Sequence, residues 1–317
     1  MQSPQNSAIT GYHRANRAGA MLLIMTVCQY GIPALFFGVM RGIFHVDTTA
    51  DAWGLPSAAY LCIYLLMYIL TMGVPLFFGT RMLFSGHLPR LSPLNLSLDR
   101  RVSVVMVGVA LCLFANMTAA LFTAAGGRLG LPETEALRMG DGSFGTLLLD
   151  LIVYAIVPAV MEEALLRGIV LQTLRPLGGG IAVIVSAALF GLMHGDFSQV
   201  PYAMLMGLVL GAVFVYTDNL KITIIIHAFA NALAVVTGFM LQFSDAASAT
   251  FWELVILIVV LMMGVVAALW LRKHPLERSR PTYDRPFAAR IKTVASAPLL
   301  WSAVGLMITL AIVGNVV

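Results

Sequence analysis

The chain has 317 residues, of which 60% are hydrophobic and only 11% are charged, and its mean hydropathy is +0.91. An ordinary soluble domain carries about 25% charged residues and about 45–50% apolar residues. Because water does not solvate so large an apolar surface, the composition excludes an ordinary soluble protein and predicts an integral membrane protein.

Apolar segments long enough to cross a bilayer, about 17–25 residues, occur nine times. In chain order they cover approximately residues 18–40, 57–79, 102–124, 144–174, 180–197, 199–217, 220–242, 251–271 and 294–315. The two short segments between 180 and 217 are separated only by Asp196 to Gln199. The sequence therefore predicts an all-α fold, a polytopic transmembrane helical bundle with about eight to nine spans.

The positions of the basic residues predict the orientation, because cytoplasmic loops of membrane proteins collect Lys and Arg. With nine spans and the N-terminus inside, the outer side holds only Arg41, Arg128 and Arg138, and Arg167 lies within a span. The other basic residues all fall on the inner side. This asymmetry accounts for the net charge of +4 without a nucleic-acid partner. The basic segment 272–292 is expected to face anionic lipid at the cytoplasmic surface.

Ionisable side chains within a membrane span are costly unless they are paired or face a polar cavity, so they indicate function. In the fourth segment, Glu163 and Arg167 are four residues apart and are predicted to form an ion pair on one helix face. Glu162 lies about 100° away on the helix and has no such partner. An unpaired carboxylate in this environment is a candidate proton acceptor. Pro158, one turn earlier, predicts a local kink.

Two further polar groups follow in the later segments. His194 lies near the end of one span, where a lone histidine is also commonly an interfacial residue. His227 and Asn231 lie in the expected span 220–242, where their spacing of four residues puts them on one helix face. They suit either an oxyanion site or an interhelical hydrogen bond. Counted at the α-helical rise per residue, these residues and Glu162 lie roughly 10–21 Å from the inner ends of their spans. They therefore fall in one broad layer of the membrane. Asp150 lies roughly 18 Å from Glu162 and is expected at the outer end of its span.

These motifs resemble those of the CPBP family of intramembrane peptidases, also called the type II CAAX prenyl endopeptidase or Abi family. The resemblance covers about residues 145–240 and rests on the order and spacing of three motifs. They are Glu162-Glu163-x-x-x-Arg167, Phe190-x-x-x-His194 and His227-x-x-x-Asn231. One departure is Leu166, where the family often has an aromatic residue, and it concerns packing rather than chemistry.

The resemblance implies hydrolysis of a peptide bond within the membrane. By position, Glu162 is the expected general base, and His194 is expected to help hold the attacking water. His227 and Asn231 are expected to stabilise the oxyanion. The substrate class implied is a membrane-associated peptide or protein, in CAAX-type processing, leader-peptide cleavage or bacteriocin self-immunity.

The resemblance also implies that Glu163 and Arg167 support the site. Members of the family have been described as metallopeptidases, and Glu162, His194 and His227 are alternative zinc ligands. The sequence has no H-E-x-x-H motif, and a glutamate-activated water needs no metal, so a site without a metal or other cofactor is the favoured expectation.

Two other functions stay open at this point. A non-catalytic member of the same family would bind a partner peptide or act as a scaffold with the same residues. A proton-coupled transporter is a further alternative, since buried Glu, Arg and His also build ion pathways. The inverted repeats typical of transporters are not recognisable in the sequence.

The predicted organisation is a single integral membrane domain over residues 1–317, with a catalytic core at 145–240. The expected location is the cell membrane, as a multi-pass protein. The expected partners are the lipid bilayer and a membrane-embedded peptide or protein substrate, without nucleic acid. No feature of the sequence predicts an oligomeric state.

Overall fold

The computed structural model describes residues 4–48, 50–84, 86, 91, 93–128, 140–196, 199–276 and 286–316. Side chains are described in these ranges except for residues 4–9, 51, 119–128, 246, 249 and 314–316. Every regular element within the described ranges is helical, which confirms the all-α prediction.

The helices are named here in chain order. They are α1 (Pro4–Gly42), α2 (Ser57–Phe84), α3 (Leu98–Arg128), α4 (Phe144–Leu177), α5 (Gly179–Leu192), α6 (Gln199–Thr217), α7 (Leu220–Leu241), α8 (Ala246–Lys273), α9 (Phe287–Ala295) and α10 (Pro298–Val316). A short 3₁₀ turn, Asp51–Gly54, precedes α2.

Seven helices among the described residues are long and apolar enough to span a membrane, and an eighth span results if α9 and α10, bent by 62°, count as one. The protein is therefore a multi-pass integral membrane protein with a polytopic helical bundle, as predicted. The fifth expected span, 180–197, is the one that does not meet this length, since it corresponds to α5, which has only 14 residues. At helical rise α5 is about 21 Å long, shorter than the hydrocarbon core of about 30 Å.

The orientation with the N-terminus inside stays a prediction from the charge distribution. Of the basic residues that support it, Arg90, Arg278, Arg280 and Arg285 lie outside the described residues, as does the outer-side Arg138. Arg175, which this prediction puts on the inner side, pairs with Asp218 in the turn between α6 and α7.

Helix α4 runs through the middle of the bundle and contacts α2, α5 and α7. It begins at the N-cap Ser143, whose hydroxyl accepts the amide of Thr146. It then continues as one 34-residue span. Two stretches of it are π-helical, Leu151–Ile156 and Ala164–Leu171. The irregularity expected near Pro158 thus takes the form of a π-helical segment that ends at Ile156, two residues before the proline.

Small residues let α5 and α6 pack closely. A Cβ added to Gly207 would lie 2.9 Å from the Cα of Ala187, and one added to Gly191 would lie 2.8 Å from the carbonyl oxygen of Val200. Such a Cβ would clash with backbone rather than with a movable side chain, so both positions require glycine at this helix spacing. This contact holds α5 and α6 together beside the second half of α4.

Candidate active site

A buried ion pair lies at the centre of the site. Arg167 Nη1 is 2.8 Å from Glu163 Oε1, and both side chains are fully buried. Arg167 Nη2 also donates to the carbonyl oxygen of Gly207 on α6 at 3.1 Å. The guanidinium carbon lies 4.7 Å from the ring centroid of Phe190 on α5. The predicted pair is confirmed, and its cation also connects α4 to α5 and α6.

His227 lies between the two adjacent glutamates. Its Nδ1 is 3.1 Å from Glu163 Oε1, and its Nε2 is 3.7 Å from Glu162 Oε2. Because Glu163 is paired with Arg167, its carboxylate accepts a hydrogen bond, and Nδ1 of His227 is the donor. In the neutral imidazole the lone pair of Nε2 then faces Glu162.

Glu162 has a different environment from Glu163. It is 7% exposed, and its Oε1 accepts a hydrogen bond of 2.6 Å from the hydroxyl of Tyr68 on α2. A bond of this length between a hydroxyl and a carboxylate is charge-assisted. The bond fixes one carboxylate oxygen, while Oε2 faces the His227 ring.

Sequence reasoning missed Tyr68. The signal was a repeat of Tyr60, Tyr64 and Tyr68 at intervals of four residues, which puts three phenol groups on one face of a span. Tyrosine is ordinary in membrane helices near the interface, so the repeat alone did not indicate a role. Only the packing of α2 against α4 brings the last hydroxyl to Glu162.

His194 follows the C-terminal end of α5. Its Nδ1 is 2.8 Å from the carbonyl oxygen of Phe190. A carbonyl oxygen only accepts, so Nδ1 carries the proton, and Nε2 of the neutral ring is free to accept one from another group. The backbone of the preceding residue, Met193, accepts a hydrogen bond from Gln29 on α1.

Asn231 on α7 is held by the irregular part of α4. Its Nδ2 donates to the carbonyl oxygen of Tyr154 at 3.2 Å. In a regular α-helix this carbonyl would accept the amide of residue 158, but Pro158 has no amide hydrogen. Asn231 thus donates to a carbonyl whose regular α-helical donor position is occupied by a proline.

Three of the predicted residues line one cavity of about 340 Å³: Glu162, His194 and Asn231. The cavity is also lined by tyrosine side chains from three helices, Tyr64 and Tyr68 on α2, Tyr154 on α4 and Tyr202 on α6. His227 is buried directly behind Glu162, and Glu163 and Arg167 lie deeper still. The structure thus brings all six predicted residues together in one cluster.

Asp150 lies apart from this cluster, as expected. Its carboxylate accepts the backbone amide of Gly140, with the Oδ2 contact at 3.0 Å, at the start of α4. It contributes to the loop that leads into the helix.

The alternative of a zinc site depends on three side chains converging on one point. Within the part of the chain that the structure describes, no group of three or more His, Cys, Asp or Glu side chains has the arrangement of a metal site. Glu162, His194 and His227 therefore do not form a three-ligand site in this arrangement.

Comparisons with known proteins concern the segment of the chain that holds these residues. Residues 144–233 match the family model of the type II CAAX prenyl endopeptidase Rce1-like domain. The membrane-embedded CAAX protease MroQ of Staphylococcus aureus (strain USA300) is 30% identical over 89 residues, which is 26% of this chain and 36% of that relative. The chain thus matches about a third of the length of this curated relative. No solved structure matches.

The matched segment begins with α4 and ends within α7, so it contains Glu162, Glu163, Arg167, His194, His227 and Asn231. Tyr68 lies outside it, on α2. This segment, which holds all six candidate residues, is thus similar to the type II CAAX prenyl endopeptidase Rce1-like family and to a membrane-embedded CAAX protease.

Proposed function

We propose that this protein is an intramembrane endopeptidase in which Glu162 activates a water molecule to hydrolyse a peptide bond of a membrane-associated substrate. The observation that carries the proposal is the environment of Glu162. One of its oxygens is held by Tyr68, the other faces His227, and the carboxylate lines a cavity together with His194 and Asn231.

In the first step, the Glu162 carboxylate takes a proton from water while the water oxygen attacks the carbonyl carbon of the substrate. The carbonyl oxygen becomes an oxyanion. In the second step the C–N bond breaks, and the proton held by Glu162 passes to the leaving nitrogen. The base is then restored, and the products are a carboxylic acid and an amine.

His194 supports the first step as a second acceptor. With its Nδ1 proton donated to the carbonyl of Phe190, the lone pair of Nε2 accepts the other proton of the attacking water. Two acceptors on one water orient its oxygen towards the substrate carbon.

Asn231 and His227 are the proposed donors to the oxyanion. The Asn231 amide has two N–H groups, of which the Tyr154 carbonyl uses one. Nε2 of His227 lies 3.7 Å from Glu162 Oε2, beside the proposed reaction site, and it donates to the oxyanion when the ring holds its second proton. Glu163, locked by Arg167, keeps the ring in the required orientation.

The proposed substrates follow from the family. They are membrane-associated peptides or proteins that undergo CAAX-type processing, leader-peptide cleavage or cleavage in bacteriocin self-immunity. The relative MroQ is described as a CAAX protease, which places the first of these among the substrates to test.

The deciding experiment compares cells that carry the native protein with cells that carry Glu162→Gln. We expect membrane peptides to accumulate in the Glu162→Gln cells, because the amide has nearly the same shape but is not a base. Asp150→Asn is the matched control, since it makes the same change on the same helix outside the catalytic cavity. If native and Glu162→Gln cells have the same phenotype and the same peptides, the protein acts by binding, as a non-catalytic member or scaffold.

We further propose that the water is activated by the glutamate without a metal. The measurement is the zinc content of purified protein that cleaves a peptide, before and after chelation. Full activity at less than one zinc per ten chains is expected. One zinc per chain, with activity lost on chelation and restored by zinc, would overturn this assignment.

A further inference from the structure

A second cavity, of about 640 Å³, lies between α3, α7 and α8. It shares four lining residues with the catalytic cavity, namely Leu113, Asn116, Ala230 and Ala234. Because the same side chains line both spaces, the two cavities adjoin, and the two together are called the groove, which extends from Glu162 along α7. Its volume is in the range of ligand-binding clefts, about 300–1,000 Å³.

The groove exists because of small residues on α7. Ala230, Ala234 and Gly238 are four residues apart and lie on one helix face, and all three line the cavity. Opposite them are aliphatic side chains of α3 and α8. The apolar walls suit the side chains of an extended peptide, and the amides of Asn116 and Gln242 can bind its backbone.

Glu253 is the one charged side chain along the second cavity in the part of the chain that the structure describes. It lies in the first third of α8 and is exposed. A carboxylate on an otherwise apolar wall favours a cation in the groove. Because α8 lies outside residues 144–233, this feature does not belong to the matched family segment.

Packing contacts between the three helices give the distance from the catalytic residues to Glu253. Gly108 on α3 lies against Ile226 on α7, and Gly264 on α8 lies against Ala110 on α3. Counted along the helix axes at 1.5 Å per residue from these contacts, Glu253 lies level with about residue 239 of α7. Measured along α7, that level is about 12 Å beyond Asn231. An extended peptide rises about 3.3 Å per residue, so this distance corresponds to about four residues.

We propose that the groove binds an extended, apolar segment of the peptide substrate, and that Glu253 selects a Lys or Arg about four residues from the cleaved bond. The position relative to the cleaved bond rests on the proposed function. The preference of the groove for a cationic peptide does not, because it concerns binding alone.

The binding test uses purified Glu162→Gln protein, which is not expected to cleave. The probes are labelled 12-residue Leu/Ala peptides that carry one central Lys, Gln or Glu, and the readout is fluorescence anisotropy in nanodiscs. We expect the Lys peptide to bind roughly threefold to fivefold more tightly than the Gln peptide, as for a partly exposed charge pair. The preference should vanish in Glu162→Gln/Glu253→Gln and invert in Glu162→Gln/Glu253→Lys.

Asp99→Asn in the Glu162→Gln background is the matched control. Asp99 is an exposed carboxylate at the opposite end of the α3–α8 pair, where it lines a separate cavity. It should leave the preference for the Lys peptide unchanged. Equal binding of the three peptides, as expected for a groove that holds a lipid chain, or no binding of any of them, overturns the proposal without affecting the proposed function.

The cleavage test uses a peptide whose hydrolysis depends on Glu162, with a single Lys moved through positions two to seven on either side of the cleaved bond. We expect kcat/KM of the native protein to peak near the fourth position on one side, and the peak to be lost in Glu253→Gln. Hydrolysis that does not depend on the Lys position contradicts the groove proposal while it supports the peptidase. A total absence of Glu162-dependent hydrolysis contradicts the peptidase instead, and the groove is then judged by binding alone.

Discussion

Glu162 and Glu163 are adjacent in the chain and belong to the same helix, yet they lie in different environments. Glu163 is fully buried and holds an arginine and a histidine. Glu162 lines a cavity and is bound by a tyrosine hydroxyl. The rotation of about 100° between neighbours on a helix is enough to give the two carboxylates different partners, so Glu163 is structural and Glu162 is the proposed base. The comparison predicts that a change at Glu162 lowers activity and leaves stability nearly unchanged, whereas a change in the Glu163–Arg167 pair lowers stability.

Replacement of the reactive carboxylate should have the largest effect. We expect Glu162→Gln to lower kcat by about 10²–10⁴-fold, the usual contribution of a general base. Its unfolding midpoint in detergent should stay close to that of the native protein, since Gln can still accept the Tyr68 hydrogen bond. The measurements are single-peptide kinetics and thermal unfolding of the same preparations. A large loss of stability in this variant would contradict the division of roles.

Removal of the Arg167 cation from its pair with Glu163 should mainly lower the stability of the protein. We expect Arg167→Met to destabilise the protein by about 3–5 kcal/mol, because it leaves the buried carboxylate of Glu163 without its cation. The double variant Glu163→Gln/Arg167→Met should be more stable than Arg167→Met alone, because neither charge is then unpaired. Denaturant unfolding of the three proteins in detergent checks both statements. A double variant less stable than Arg167→Met would contradict the unpaired charge of Glu163 as the cause of the loss.

Tyr68 donates a hydrogen bond to Glu162, and its replacement tests whether that bond matters for catalysis. We expect Tyr68→Phe to lower kcat by about 10–100-fold with little change in KM, from the loss of a hydrogen bond to a charged group worth about 1.5–3 kcal/mol. Tyr60→Phe is the control, since Tyr60 belongs to the same helix face but not to the catalytic cavity. Equal effects of the two variants would assign Tyr68 to packing.

The smallest effect is expected at the proline. Pro158→Ala restores an amide that can donate to the Tyr154 carbonyl, so it competes with Asn231 for that acceptor. We expect kcat to fall by about threefold to tenfold while the protein becomes no less stable, since proline in a helix interior costs about 3 kcal/mol. Kinetics and thermal unfolding again provide the measurement. Unchanged kcat would show that Asn231 is positioned by other contacts.

Much of the candidate site followed from local rules. The Glu163–Arg167 pair follows from a spacing of four residues on a helix and from the cost of an unpaired charge in a membrane. The spans followed from the lengths of the apolar segments, except for α5, where the apolar run was long enough but the helix ends at Leu192. His194 therefore lies just beyond the helix rather than within a span.

Other features depended on contacts between distant helices. Tyr68 is 94 residues away from Glu162 in sequence, and no local pattern connects them. Likewise, the bridging position of His227 depends on how α7 packs against α4. The π-helical segments around Pro158 and the hydrogen bond from Asn231 to the Tyr154 carbonyl are visible only in the structure, since the sequence indicated only a kink.

The sequence by itself determined that the protein is a helical membrane protein, which polar groups lie within its spans and which of them can pair on one helix. Hydropathy and helical periodicity are local properties, so they can be obtained from the order of residues alone. Only the tertiary structure decided which glutamate oxygen faces which partner and where the groove towards Glu253 opens. Those features depend on the rotation and spacing of neighbouring helices, which are fixed by small residues such as Gly207 and Gly264 and by hydrogen bonds that cross the bundle.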